Sequence, residues 1–237
     1  MKFNIKLFSI SCLLITLILG SSSFIMGQEE VTEEQLNQKE DQVVAVIDNE
    51  EVLMSELEKE ANIQQTMVQL QQQNPQMVRF LYASPEGQNF LKAFQKNQLD
   101  NLIARKLLEK EAERQDISLT ASDKNDYFND QIELIKKQQD LDDEELINTL
   151  NQQGIESLEE FKEIFIQQQE NNLIVQKFIE TVVLKEVKIT DERAKEIYEQ
   201  GQFQVEFEEI KDQIKQDLAQ QEYINQLKED ADIDIKL

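Results

Sequence analysis

The chain has no histidine and no tryptophan, and only one cysteine, two prolines and five glycines among 237 residues. Each absence removes a class of chemistry. Without histidine the usual general base and the commonest metal ligand are gone, and with them the Ser-His and Cys-His nucleophile pairs. The one cysteine, Cys12, sits inside an apolar N-terminal run, so the rest of the chain has no disulfide, thiol nucleophile or thiolate metal site. The later glycines, Gly87, Gly154 and Gly201, are isolated, and no Gly-rich phosphate loop exists. Cations are few as well. Twenty-four Lys and Arg stand against 48 Asp and Glu, a formal net charge of −24. Such a field repels phosphate backbones, so nucleic acid is not an expected partner.

Carboxylates, by contrast, are plentiful. The run Asp142-Asp143-Glu144-Glu145 reads as an acidic helix N-terminus that complements the helix dipole. It lacks the alternating spacing of a calcium loop. Nothing selects a glycosidase-type carboxylate pair. The expectation is no catalytic residue, no cofactor and no metal.

What the sequence does contain is helix formers. Leu, Ile, Glu, Gln and Lys dominate, hydrophobic residues make up 40% and charged residues 30%. The start is different. Lys2 and Lys6 precede the apolar run Leu7–Leu19 and then "GSSSFIMG", the layout of a secretory signal with small-residue cleavage sites at Gly27 or Ser23. Residues 7–26 also have the length of an uncleaved anchor. Both versions place the body outside the cytoplasm, because the lysines precede the span. Cys12 lies within the run rather than after it, so lipidation is not expected. Residues 28–41 read as a flexible lead-in.

The segment "VVAVI", residues 43–47, reads as a strand, followed by a turn at Asp48-Asn49-Glu50. Ser55 with Glu58 fits a capping box, predicting a helix from about Glu56 that continues to Pro75. Further helices are predicted over 75–83, 85–115 after the Ser84-Pro85 cap, 121–139 after Thr120, and 142–152 closed by Gly154. A second capping box, Ser157 with Glu160, opens a helix to about Leu184. Thr190 caps 191–200, "QFQVEF" reads as extended, and a last helix carries Ile210, Ile214, Leu218, Ile224 and Leu227. The end, "ADIDIKL", alternates apolar and charged residues as a strand does. A lone strand needs a partner, so 43–47 is expected to pair with 233–237 and clamp the two ends of a mainly α body.

Three blocks together resemble the SurA/PrsA-type extracytoplasmic chaperones. They are "VVAVIDNEEVLMSELEKE", "QLDNLIARKLLEKEAERQDISLTASD" and "FEEIKDQIKQDLAQQEYINQLKEDADIDIKL". The resemblance covers most of residues 42–237 and implies one helical chaperone domain there. Many members of that family carry a parvulin prolyl-isomerase domain between the last two pieces. Here only "GQFQ" separates "VKITDERAKEIYEQ" from "VEFEEIKDQI", so the parvulin domain is expected to be absent near 200–205. The implied function is an ATP-independent chaperone that binds unfolded or newly exported proteins without isomerase catalysis. Client binding needs apolar surface beside solubilising charge. The candidate residues are Met67, Leu70, Met77, Phe80, Leu81, Tyr82, Phe90 and Phe94, part of which would line a client cradle, although as a group they read more readily as the core of the helical body. The alternative is an envelope structural or adaptor protein with one specific partner, anchored and dimeric through its long helices. Breaks at "QQQENN" and Gly154 argue against a continuous coiled coil.

Overall fold

The computed structural model describes residues 41–201 and 203–237. The expected signal or anchor, with Cys12, and nearly all of the lead-in lie outside the described residues.

The structure is mainly α, with one small antiparallel sheet. Strand β1 (Val43–Ile47) turns into β2 (Glu50–Leu53). Asp48 and Asn49 both have positive φ, 49° and 72°. That is the twisted two-residue turn that lets right-handed strands pair, and Asp and Asn tolerate it. On its other side β1 pairs antiparallel with β3 (Ile233–Ile235), Ala45 opposite Ile235 and Ile47 opposite Ile233. The predicted end-to-end clamp is thus present, with β1 in the middle. Both faces of β1 are buried or half-buried, which is why its apolar residues run on without alternation. Val44, Ala45 and Ile47 are all buried.

Strand β2 was not predicted, and the first helix starts earlier than expected. α1 spans Met54–Glu60. Its cap is not Ser55, whose hydroxyl bonds the Asp41 carboxylate. Instead Glu56 Oε2 accepts the Leu53 N–H at 2.9 Å. The expected single helix to Pro75 is also broken. Asn62 adopts the left-handed conformation (φ 47°), ending α1 and starting α2 (Ile63–Gln73).

α3 (Pro75–Ala83) and α4 (Pro85–Arg114) follow, each with proline at its first position. These are the only two prolines in the chain, and both sit where a missing N–H costs nothing. Leu99, Leu102, Ile103 and Leu107 of α4 pack with Val44, Ala45, Ile47, Val52 and Leu57 in one core. Leu227, Ala231 and Ile233, half-buried, close it from the C-terminal side.

α5 (Ala121–Gln139), α6 (Asp143–Gln152) and α7 (Leu158–Phe178) come next. α7 continues through a π-helical turn, Ile179–Val183, to Glu186. α8 (Asp191–Gln200) and α9 (Phe207–Asp230) complete the helices among the described residues. The extended stretch expected at "QFQVEF" is not a strand among the described residues. Residues 203–206 form a connector whose Val205 carbonyl accepts the Tyr198 hydroxyl at 2.7 Å, while Tyr198 and Phe203 stack at 5.2 Å. An aromatic clasp has replaced a ladder there.

The described chain divides into two units. One is residues 118–174. Its core gathers Phe128, Ile132, Leu146, Leu150, Phe161 and Phe165. Phe128 meets Phe161 edge-on at 5.9 Å. Asp142 caps α6, accepting the Glu145 N–H at 2.9 Å while Glu145 accepts the Asp142 N–H at 2.9 Å. The acidic run is therefore engaged as a helix start. The other unit is 41–117 with 175–237, closed by the strand clamp and by Phe178 packing edge-on to Tyr223 at 5.6 Å.

Candidate client-binding surface

The predicted client-binding residues fall on α2, α3 and the first half of α4. Local sequence sets this segment. The Asn74 side chain accepts the Met77 N–H at 3.1 Å, starting α3 at Pro75. Ser84 Oγ accepts the Gly87 N–H at 2.9 Å, starting α4 at Pro85. Between them the chain folds back closely. A Cβ on Gly87 would lie 2.6 Å from Leu81 Cα and 2.8 Å from Leu81 O, so only glycine fits. Leu81 is buried in that crossing.

The crossing sorts the remaining candidates. With Leu81 turned inward, Met77, Phe80 and Tyr82 are left at the surface, 43%, 48% and 56% exposed. Met77 and Phe80 are three residues apart and so neighbours on one helix face. Phe90 on α4 is 59% exposed, and Val68 on α2, which sequence reasoning did not single out, is 58% exposed. Met67, Leu70 and Phe94 are half-buried. The structure thus places seven of the eight candidates at least partly in solvent. It puts Leu81 in a packing role. Val68 was missed because no signal in the sequence separates it from the half-buried Met67 and Leu70 beside it.

The electrostatics of this segment differ from the rest. Between Ala61 and Leu99 there is one carboxylate, Glu86, and three cations, Arg79, Lys92 and Lys96. In a chain of net charge −24 this is a stretch almost free of negative charge. Elsewhere α4 carries a dense ion-pair set that fixes its second half to α1 and to the hairpin turn. Lys106 meets Glu56 at 2.6 Å, Lys110 meets Asp48 at 2.8 Å, and Arg105 meets Glu60 at 2.5 Å. The Lys110 hydrogen bond, then the Asp232 backbone N–H, holds the Asp48 carboxyl below its ordinary range. Burial pushes Glu109 up, against the pull of Arg105 and Lys106. One half of α4 is therefore locked by charge, and the other presents apolar side chains with little charge.

Among the described residues no group of three or more His, Cys, Asp or Glu side chains is placed to hold a metal ion. No described helix is long and apolar enough to cross a membrane.

No family profile matches the chain. A foldase is similar to it. The foldase protein PrsA from two strains of Clostridium kluyveri is 29% identical over 156 residues, 65% of this chain and 44% of the relative. The match thus spans less than half the length of those curated relatives. In this chain the order of strand, helices, last helix and closing strand is what the sequence blocks implied.

Proposed function

We propose that this chain is an ATP-independent holding chaperone for unfolded or newly exported polypeptides outside the cytoplasm. The α2–α4 segment is its client surface. The observation that carries this reading is the concentration of exposed Val68, Met77, Phe80, Tyr82 and Phe90 on a stretch with a single carboxylate. Large apolar side chains gathered in solvent mark a docking surface, and a flexible Met among them suits varied partners. The acidic remainder keeps the loaded complex soluble. The similarity to a foldase supports the same class of work.

Catalysis of X-Pro isomerisation is not part of the proposal. α8 ends at Gln200 and α9 begins at Phe207, and residues 203–206 belong to a short connector before α9. The N-terminal run, as signal or as anchor, delivers the body across the membrane.

The test uses residues 28–237 and a chemically unfolded secreted protein diluted into buffer, followed by light scattering without ATP. Suppression near equimolar ratio, persisting at high salt, is the expected result. A folded sample that leaves aggregation unchanged overturns the reading and favours an envelope adaptor with one stoichiometric partner.

A further inference from the structure

Among the described residues the sheet has an open edge. β3 is bonded on its β1 side, where the order is β2-β1-β3. Asp48 N–H donates to Asp232 C=O at 2.9 Å, Lys236 N–H donates to Val44 C=O at 2.9 Å, and Asp234 lies opposite Val46. Residues 232, 234 and 236 therefore turn their backbone toward β1. In an antiparallel ladder the alternate residues face the other way. The N–H and C=O of Ile233 and Ile235 consequently point out of the sheet, and no described residue takes them. The opposite edge differs. β2 carries the exposed Glu50 and Glu51 and passes directly into α1.

Side chains give the β3 edge a pattern. Ile233 and Ile235 lie opposite Ile47 and Ala45, on the face that enters the core. That face continues outward uncovered, with Ile235 50% exposed and Leu237 45% exposed. Asp234 lies on the other face, in line with Val46 and Glu51. A strand laid along β3 sets every second side chain against Ile233 and Ile235, and the intervening ones beside Asp234. Apolar residues suit the first set, and cations suit the second.

We propose that the outer edge of β3 is a strand-addition site for an extended polypeptide segment in which apolar residues alternate with Lys or Arg. Main-chain bonds to Ile233 and Ile235 supply the docking, and side-chain alternation with Asp234 supplies the preference. The net charge of −24 steers such a cationic segment toward the molecule. The inference does not rest on the holding activity, because a soluble, unaggregated peptide is its ligand.

The experiment uses the full chain and a capped, labelled peptide of alternating Val and Lys, followed by fluorescence anisotropy and by amide exchange at Ile233 and Ile235. Binding is expected to slow exchange at those two amides. Methylating the peptide's edge-facing amide nitrogens is expected to weaken binding about tenfold or more, and a Val-Glu peptide is expected to bind equally poorly. In the protein, Ile235→Pro removes an outward N–H without removing a bond to β1, so binding falls while the clamp stays. Asp234→Lys exchanges the preference between Val-Lys and Val-Glu peptides. If Ile235→Pro melts the sheet by circular dichroism, Asp234→Lys decides. No binding of the Val-Lys peptide, unchanged exchange at both amides, equal binding of the methylated peptide, or no shift of preference in Asp234→Lys each overturns the proposal.

Discussion

Gly87 and Leu81 decide which side chains of α3 meet solvent. The close crossing leaves no room for a Cβ, and the atoms it would strike are backbone, which cannot swing aside. Gly87→Ala is expected to lower stability by about 1–3 kcal/mol, read as a lower melting temperature, and to disturb the exposure of Phe80. Gly154→Ala provides a comparison of another kind. Gly154 has φ 81° with open space around it, so that substitution costs about 1 kcal/mol from backbone strain alone. Asp48 gives a pH test at the same scale. Its folded pKa is lowered by the Lys110 hydrogen bond and then by the Asp232 N–H. A carboxyl so depressed stabilises the fold above its ordinary value, near about 4, and loses that contribution as pH falls through the lower folded value. Protection of the Asp232 amide, taken relative to its intrinsic exchange rate at each pH, should therefore fall in acid, and in Asp48→Asn, which loses the Lys110 ion pair, it should be reduced already at neutral pH. Glu109 acts with the opposite sign, because burial raises it and acid relieves that cost.

Among the elements, those announced by local chemistry were legible in the sequence. Thr120 accepts the Asp123 N–H at 3.2 Å, Thr190 the Arg193 N–H at 3.2 Å and Ser84 the Gly87 N–H at 2.9 Å, each where a polar cap preceded an apolar period. The clamp was legible too, because both strands carry period or β-branched runs. β2 was not, since "EEVL" opens with two glutamates and owes its pairing to the turn before it. The break at Asn62 was hidden because no Gly or Pro marks it. The π-helical turn at Ile179–Val183 left no signal in the local pattern. At the candidate surface the residue types were legible and their exposure was not. Phe80 and Leu81 are adjacent and equally apolar, and only the crossing with Gly87 turns one out and the other in. This gives a prediction for the element. Phe80→Ala with Phe90→Ala is expected to change folding stability by no more than about 0.5 kcal/mol per site, as exposed substitutions do. Aggregation suppression by the same variant is expected to fall severalfold. Leu81→Ala, in contrast, should destabilise by about 2–5 kcal/mol in a thermal melt.

At the scale of the whole molecule the net charge of −24 opposes compaction, because carboxylates outnumber cations two to one. Raising ionic strength from about 0.01 M to about 1 M shortens the Debye length from about 30 Å to about 3 Å, so the melting temperature should rise across that range. A fall would mean that the ion pairs of α4 outweigh the repulsion. The same charge distribution frames the function. Carboxylates are spread along the chain but are nearly missing from Ala61 to Leu99, where the apolar side chains are exposed. The central claim is that unfolded polypeptide docks on that stretch. The most direct measurement places a photo-crosslinking residue at Phe90, at Met77 and, as a control, at exposed Glu144 on α6, then irradiates with an unfolded secreted protein. The account predicts strong crosslinks at Phe90 and Met77 and little at Glu144. Equal labelling at all three positions, or labelling at Glu144 alone, would contradict it.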